Sequence, residues 1–306
     1  MSSYNRLVSV AEGSSSAASV VSVVVDSSTC LDPETAGDLG ITVVPMHIVI
    51  DGRGYRDLVE VTPEDFYRSL RSNGRAVHST SSPSVGEYVR AFESAAGDVL
   101  CLTVAGRLSS MVQSASVAAE SVEGREIRVL DSGTAAGGLR LLALRAAARA
   151  RQGATLDEIA ADVQRLAPHV RMFGMLDTID YLARSGRVPQ VASWTAGKLG
   201  VKPVIELTAG SGRLVTLVRG QAAGRRALAD TLLKRTARDG AGDEGEGIVA
   251  TVFHADALDE AEALEADLKE RLPAGDFSTS QFTPAMGVHT GPGVLGHAFY
   301  VDTTPA

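Results

Sequence analysis

The first half of the chain alternates between short runs rich in β-branched residues and longer segments with helical periodicity. Predicted strands are residues 20–25, 41–50, 99–104 and 127–130. Predicted helices are residues 33–39, 63–71, 84–95 and 110–122, followed by two alanine-rich helices over 135–151 and 156–166. Strand–helix alternation at this spacing predicts an α/β domain with a largely parallel sheet.

After residue 170 the strand–helix alternation becomes less regular. Strands are predicted over 172–176, 203–207, 214–219, 248–253, 278–282 and 298–301, with helices over 178–184, 191–199, 221–238 and 259–271. The pair of strands around Gly210 predicts a hairpin and therefore an antiparallel element. We expect a two-domain α/β protein: a disordered tail over 1–19, an N-terminal α/β domain over 20–168, and a C-terminal α+β domain with a mixed or antiparallel sheet over 169–306.

Composition narrows the classes of function. The formal net charge is −8, from 29 basic and 37 acidic residues, which disfavours nucleic acid as a partner because phosphate binding needs clustered Lys and Arg. No apolar run has the ~20 residues that a membrane span needs, and the tail lacks a signal-peptide core. The two cysteines, Cys30 and Cys101, form neither a disulfide framework nor a metal site, which fits a reducing cytoplasm.

One glycine pattern resembles a nucleotide-binding loop. Gly291-Pro-Gly293-Val-Leu-Gly296 matches G-x-G-x-x-G, but that mechanism needs a preceding strand and a helix opening on the last glycine. Here residues 297–301 predict a strand, and a proline interrupts the loop. We therefore expect a tight loop beside a ligand, with no cofactor and no bound metal.

Three hydroxyl-rich segments follow predicted strands: Asp26-Ser-Ser-Thr29, Ser79-Thr-Ser-Ser-Pro-Ser84 and Leu108-Ser-Ser110. Each alone is explained by helix capping, for which Ser and Thr are standard residues. Together they predict a ligand site of neutral donors, because strand-end loops converge on one edge of a parallel sheet.

His289 lies in a Gly- and Pro-rich segment that we expect to be a loop. With Ser109 or Ser81 as nucleophile and Asp26 as orienting group, it would suggest a serine hydrolase. The G-x-S-x-G elbow that exposes such a nucleophile is absent around Ser109, so hydrolysis is the second hypothesis.

A basic group, Arg184 to Arg187 with Lys198, Lys202 and Arg219 further on, fits either a solvated face or a docking surface for a partner.

A collinear series of motifs then resembles the DegV family over about residues 20–302. The motifs are Asp26-Ser-Ser-Thr29, Gly40-Ile-Thr-Val-Val-Pro45, Asp51-Gly52, Tyr55-Arg-Asp57, Thr62-Pro-Glu-Asp-Phe-Tyr67, Thr80-Ser-Ser-Pro-Ser84, Leu108-Ser109, Val129-Leu-Asp-Ser132, Asp177-Thr-Ile-Asp-Tyr-Leu182, Gly186-Arg187, Lys202-Pro203 and His289-Thr-Gly-Pro-Gly293.

The resemblance implies a carrier without catalysis that binds a long-chain fatty acid between two domains. It further implies that the carrier presents the ligand to a fatty-acid kinase, which makes an acyl phosphate for phospholipid synthesis. By motif, Thr80, Ser109 and His289 would contact the carboxylate. Ser81 and Thr290 would lie adjacent, and Arg187 would face the kinase. The apolar run 172–176 would line the acyl tunnel.

The sequence departs from the family pattern beside the expected head-group site. Ser82, Ser110, Met111 and Ser185 stand where the family has Gln, Gly, Thr and Gly. These changes leave chain length, unsaturation and ligand class open. A lipid-binding sensor without a kinase partner is the third hypothesis.

Overall fold

A computed structural model describes residues 20–50, 52–72, 78–188 and 200–302. The predicted tail over 1–19, the predicted helix over 191–199 and Lys198 lie outside the described residues. The strands are β1 (Val21–Asp26), β2 (Ile41–Val44), β3 (His47–Ile50), β4 (Arg53–Arg56), β5 (His78–Ser81), β6 (Asp98–Thr103), β7 (Ile127–Asp131), β8 (Arg171–Met175), β9 (Val201–Thr208), β10 (Ser211–Arg219), β11 (Ile248–His254), β12 (Asp276–Gln281) and β13 (Leu295–Val301). The helices are α1 (Pro33–Leu39), α2 (Pro63–Ser72), α3 (Val85–Ser94), α4 (Met111–Glu120), α5 (Ala136–Arg151), α6 (Leu156–Leu166), α7 (Asp180–Ser185), α8 (Gln221–Arg238), α9 (Leu258–Arg271) and α10 (Pro284–Thr290).

The first large sheet is parallel throughout, with strand order β2-β1-β6-β7. Both of its faces are covered, which explains why its strands are nearly continuous apolar runs. Val24 and Cys101 pack on one face with Tyr88 and Phe92 of α3, while neighbouring positions such as Leu100 join the core on the other face. The predicted parallel α/β arrangement is confirmed.

The second large sheet is mixed, with strand order β10-β9-β8-β13-β11-β12. Only β11 and β12 run parallel, and every other pair is antiparallel. The predicted hairpin is confirmed: β9 and β10 join at Ala209 and Gly210, whose φ values are +48° and +68°. On β8, Met172 belongs to the core between the two large sheets, whereas Phe173 and Met175 pack on the opposite face beneath α8 and α9.

Helix α5 lies between the two large sheets. It contacts β1 and β6 of the first sheet and β8, β11 and β13 of the second. Its first half is buried on all sides, as expected of a core helix rather than a helix with one apolar stripe, and the buried Arg140 there donates to the carbonyl of Cys30 at 3.0 Å. Gly137 permits the close approach to β11, because a Cβ there would lie 2.9 Å from both Phe253 and Thr251.

A small antiparallel sheet, with strand order β4-β3-β5, corrects the sequence-based prediction. Residues 41–50 were predicted to form one strand, and this is wrong: the chain breaks at Pro45 and Met46 and enters two different sheets. Pro45 has no N–H for a strand ladder, which favours a break at this point. Strand β4, with Gly54 between mostly exposed arginines, and strand β5 were not predicted.

Among the described residues, no helix combines the length and apolarity that a membrane crossing requires.

Candidate functional site

A cavity of about 130 Å³ lies between the two large sheets, bounded also by the small sheet and α10. Most of its lining is apolar. The polar lining residues are Ser28, Thr80, Ser82, Ser109, Arg187, His289 and Thr290. Four of the five sequence-predicted ligand-binding residues therefore line one cavity, together with Arg187, although they come from distant parts of the chain.

Thr80 and His289 form one polar pair in the cavity wall. The Oγ1 atom of Thr80 lies 2.8 Å from Nε2 of His289, across a separation of 209 residues. Thr80 is on β5, where it pairs with Ile48 of β3. His289 is in the last turn of α10, so the prediction that it lies in a loop is wrong. Thr283 caps this helix and Pro284 occupies its first position, which are standard start signals that the glycines obscured.

The pair presents a hydrogen-bond donor in either tautomer of the imidazole. The Nδ1 atom of His289 is buried and has no hydrogen-bond partner among the described residues. If Nε2 accepts from the Thr80 hydroxyl, Nδ1 carries a free N–H; if Nε2 donates, the hydroxyl proton of Thr80 is free. In both cases one donor is left for an acceptor from outside the chain.

His289 is held in its neutral form. Burial, and to a smaller extent the positive charge of Arg187, lowers its pKa from 6.5 to about 4. At neutral pH the imidazole therefore acts as a polar but uncharged group.

Ser82 and Ser109 form a second polar pair, with their Oγ atoms 3.0 Å apart. Ser109 lies just before α4, whose cap residue, Ser110, makes no side-chain hydrogen bond to the helix. The first-turn amides of this ten-residue helix are left without a capping side chain, so its positive end faces the region of Ser109 and Met111.

The remaining predicted residues differ in their placement. Ser81 is exposed and does not line the cavity, because successive residues of a strand point to opposite faces and Thr80 points inward. Thr290 lines the cavity, but its hydroxyl donates to the carbonyl of Met286 at 3.0 Å within its own helix. Arg187 is exposed at the cavity wall, with one guanidinium nitrogen donating to the Ser185 carbonyl at 2.9 Å.

The hydroxyls that follow β1 are mostly used within the fold. Ser27 donates to Asp57 at 2.7 Å, and Ser28 and Thr29 bond back to Asp26. Only Ser28 of this segment lines the cavity. The capping interpretation therefore accounts for this segment, whereas Thr80 and Ser109 contribute to the site.

Sequence reasoning missed two features of the lining. Ser82 belonged to the hydroxyl-rich segment 79–84 and was noted as a departure from the family pattern, but it was not predicted as a site residue, although it bonds to Ser109. Four of the six methionines, Met46, Met111, Met172 and Met286, also line the cavity. Only Met172 lay in the predicted apolar layer, and the others had no common sequence signal. Methionine is flexible, so these four residues make an adaptable wall.

The glycine pattern at 291–296 has the reverse of the dinucleotide-binding order. Helix α10 precedes it and strand β13 follows it. Gly291 has φ +73° and lies against the ring of Tyr181, so it shapes the end of α10. Among the described residues, no three His, Cys, Asp or Glu side chains are grouped so that they could hold a metal ion.

Comparison with known proteins then places the chain in a family. The sequence model of the DegV family matches residues 20–302. The chain belongs to the DegV family. A DegV domain-containing protein of Deinococcus radiodurans is 32% identical over 281 residues, covering 91% of this chain and 97% of that protein. A DegV domain-containing protein of Streptomyces coelicolor is 32% identical over 279 residues, covering 90% and 96% respectively.

Solved DegV-family structures have the same two-domain fold. A DegV family protein from Thermus thermophilus, described as fatty acid binding, is 28% identical with a TM-score of 0.82, covering 92% of this chain and 99% of that one. A stearic acid-binding protein from Eubacterium ventriosum is 25% identical with a TM-score of 0.83, covering 91% and 97% respectively.

Proposed function

We propose that this DegV-family protein binds a long-chain fatty acid in the cavity between its two large sheets. The observation that carries the proposal is the division of the cavity wall: two pairs of uncharged hydrogen-bonding groups, with Arg187 beside them, on a mostly apolar lining. A fatty acid has the same division, with one polar end and a long apolar chain. Its carboxylate would meet Thr80, Ser109 and His289.

The polar groups suit a carboxylate without a buried ion pair. Hydrogen bonds to a charged group contribute roughly 1.5–3 kcal/mol each. The Thr80–His289 pair has one free donor, and the Ser82–Ser109 pair shares one proton and so offers another. The uncapped start of α4 and the charge of Arg187 add a favourable potential for an anion.

The apolar wall would supply most of the affinity. Each buried methylene contributes about 0.8 kcal/mol, so a long acyl chain gains on the order of 10 kcal/mol before the costs of binding. The cavity of about 130 Å³ is near the ~150 Å³ that accommodates benzene in an engineered protein. A long chain therefore requires the wall to move, and the four methionines provide side chains that can do so.

The structural relatives support the same ligand class. The Thermus thermophilus protein is described as binding fatty acid and the Eubacterium ventriosum protein as binding stearic acid. Both share the fold over more than nine-tenths of this chain.

The geometry favours binding over hydrolysis. A serine hydrolase needs a serine bonded to the histidine and a third group orienting that histidine. Here the hydroxyl of Ser109 bonds to Ser82, the imidazole of His289 bonds to Thr80, and Asp26 bonds to Ser28 and the amide of Val104. The three proposed triad members thus have separate partners, which supports a carrier without catalysis.

We also propose the finer features of the carrier. Residues 20–168 and 169–306 would be its two domains, with the acyl tunnel between them, and the buried thiols of Cys30 and Cys101 suit a cytoplasmic location. A fatty-acid kinase would be its partner. In that reaction a carboxylate oxygen of the acyl ligand attacks the γ-phosphorus of ATP, and ADP leaves. Arg187, exposed beside the head-group end, is our candidate for the kinase-facing surface.

Ligand binding is tested by extracting the purified protein with organic solvent and analysing the extract by mass spectrometry. We expect close to one acyl chain per protein, either as purified or after incubation with palmitate and gel filtration. The absence of any stoichiometric acyl species under both conditions would contradict the proposal.

The kinase role needs a separate test. The acyl-loaded protein is incubated with ATP and a fatty-acid kinase, and acyl phosphate is trapped by hydroxylamine as the hydroxamate. Product formation that requires this protein supports the carrier role, and its impairment in Arg187→Ala supports the docking surface. Tight acyl binding without product formation favours the sensor.

A further inference from the structure

Asp57 is a buried carboxylate that the proposed head-group site does not use. Its side chain is fully buried, and no Lys or Arg among the described residues pairs with it. One oxygen accepts a hydrogen bond from the Ser27 hydroxyl at 2.7 Å, and the other accepts from the backbone amide of Ala285 at 3.1 Å. A buried charge without a cation is costly, so its hydrogen bonds indicate what it holds in place.

The bond to Ala285 caps α10 from a distant part of the chain. Pro284 has no N–H, the amide of Met286 bonds to the Thr283 hydroxyl at 3.4 Å, and the amide of Gly287 bonds to the Thr283 carbonyl at 2.9 Å. Ala285 carries the remaining first-turn amide, and it donates to Asp57, which lies 228 residues earlier. The carboxylate also faces the positive end of the helix.

The same carboxylate ties α10 to the opposite wall of the cavity. The backbone N–H of Asp57 donates to the carbonyl of Met46 at 2.9 Å. The Ser27 hydroxyl, which donates to the Asp57 carboxylate, accepts from the amide of Met46 at 3.0 Å. Met46 lines the cavity, and so do Met286 and His289 on α10. Asp57 is thus bonded to both sides of the space that the ligand would occupy.

We propose that Asp57 is a positioning residue for the acyl site: by holding the first turn of α10 against the turn at Ser27, it keeps His289 within hydrogen-bonding reach of Thr80. This inference rests on the proposed function for its effect on acyl binding. Its effect on the environment of His289 is independent of any ligand.

The cost of burying Asp57 supports a role beyond stability. Burial raises its pKa from 3.8 to about 6, in spite of the hydrogen bonds from Ser27, Ala285 and Thr283 that lower it. The stability associated with the protonated group is complete below pH 3.8 and is lost as the pH rises through about 6. At neutral pH the ionised group is therefore a cost to the fold, which the hydrogen bonds from Ser27, Ala285 and Thr283 only partly offset.

The titratable and charged groups that face Asp57 come from four parts of the fold: β1, the turn that follows it, α5 and α2. Asp26 lies at the end of β1, Cys30 follows the Ser27 turn with Arg140 of α5 near it, and Tyr67 projects from α2. Burial raises the pKa values of Asp26, Cys30 and Tyr67. The thiol of Cys30 and the phenol of Tyr67 are therefore uncharged near pH 6.

The test combines Asp57→Asn with a matched control, Asp32→Asn. Asp32 also caps a helix whose first residue is proline: it accepts from the Thr35 amide at 2.8 Å at the start of α1, which does not line the cavity. Palmitate affinity is measured by calorimetry on delipidated protein. The environment of His289 is followed by imidazole NMR without ligand, with its resonances assigned from a His289→Gln variant.

We expect Asp57→Asn to bind palmitate about tenfold more weakly, because a charge-assisted cap becomes a neutral one. We also expect it to shift the His289 resonances in the ligand-free protein. Asp32→Asn should change neither. Unchanged affinity in Asp57→Asn, or weaker affinity with unchanged His289 resonances, would overturn the inference. If wild type binds no acyl ligand, the proposed function fails, and the NMR comparison still decides whether Asp57 positions α10.

Wild-type protein provides the measurement if Asp57→Asn does not fold. The His289 resonances should then show an inflection near pH 6, from ionisation of Asp57, in addition to their own titration near pH 4. A single inflection near pH 4 would overturn the inference.

Discussion

Two depressions lie on either side of the loop at residues 291–294, and they differ in almost every property. The cavity between the large sheets has a volume of about 130 Å³ and a mostly apolar wall. The second depression is a cleft of about 670 Å³, lined mainly by charged and polar side chains. His289 and Thr290 face the cavity, whereas Pro292 and Gly293 line the cleft. The loop therefore separates two chemically different spaces.

The cleft occupies the more conventional position for a ligand. Strands β8, β11 and β12 run in the same direction and end near it, at the edge where open α/β sheets usually bind ligands. Its charges, however, are largely paired within the chain. Arg71 pairs with Asp256, Lys202 with Asp177, and Arg225 with Glu260. The comparison teaches that the proposed acyl site rests on the chemistry of the cavity wall rather than on its position in the fold.

A fatty acid distinguishes the two regions. In the cleft its carboxylate would face Glu64 and Asp259, and its chain would remain largely in water. In the cavity the carboxylate would meet neutral donors with Arg187 beside them, and the chain would be buried. Four predictions test this contrast.

The largest expected effect comes from shortening the ligand. Replacing a sixteen-carbon by an eight-carbon fatty acid removes eight methylenes at about 0.8 kcal/mol each, which weakens binding by up to about 6 kcal/mol. Calorimetric titration of delipidated protein with both acids measures the difference. A change below about 1 kcal/mol would indicate a solvent-exposed chain and would favour a site like the cleft.

Removing a head-group donor should have the next largest effect. Thr80→Ala and His289→Ala are each expected to weaken palmitate binding by about 1–3 kcal/mol, because each breaks the only hydrogen bond seen between the two side chains. The matched control is Asp259→Asn in the cleft, which should bind palmitate as wild type does. Equal losses in the control and the two cavity variants would remove the distinction between the regions.

The Ser82–Ser109 pair should contribute less. Because their hydroxyls bond to each other, we expect Ser82→Ala and Ser109→Ala to be non-additive in palmitate affinity, with a coupling of about 0.5–1.5 kcal/mol. A double-mutant cycle measures this coupling. Strict additivity would mean that the two hydroxyls act on the ligand separately.

The smallest expected effect concerns the titration of His289. Its pKa of about 4 lies below the ordinary value of 6.5, so its contribution to stability is present above about pH 6.5 and is lost as the pH falls through about 4. NMR titration should place its midpoint near 4, and Arg187→Ala should raise that midpoint part of the way towards 6.5. A wild-type midpoint near 6.5 would show that the imidazole is exposed to solvent.

Local sequence signals predicted much of the fold. Helix α1 has Asp32 as its cap and Pro33 at its first position, and α6 starts with the capping box of Thr155 and Glu158. Both were predicted with their observed bounds, as was α8, because such signals act over a few residues. Three strands of the first sheet, β1, β6 and β7, were predicted to within about one residue, whereas the strand predicted over 41–50 ran past the end of β2 at Val44.

The site depends on contacts that no local pattern contains. Thr80 meets His289 only because β5 pairs with β3 in a small sheet and α10 packs across it. Helix α10 has seven residues, and its one glycine allows close packing: a Cβ on Gly287 would lie 2.6 Å from the ring of Phe66. Sequence alone therefore indicated a loop. Ser82 lines the cavity and Ser81 does not. Which of the two faces the cavity depends on where β5 ends, and β5 was not predicted.

The central claim, that the acyl chain occupies the apolar cavity, is tested most directly by photo-crosslinking. A palmitate analogue with a diazirine near its methyl end is bound to the protein, irradiated and mapped by peptide mass spectrometry. We predict labelled peptides that contain cavity residues such as Met46, Met111 and Met172, and loss of that labelling when unlabelled palmitate competes. Competed labelling confined to cleft residues such as Glu64 or Asp259, with none in the cavity, would contradict the account.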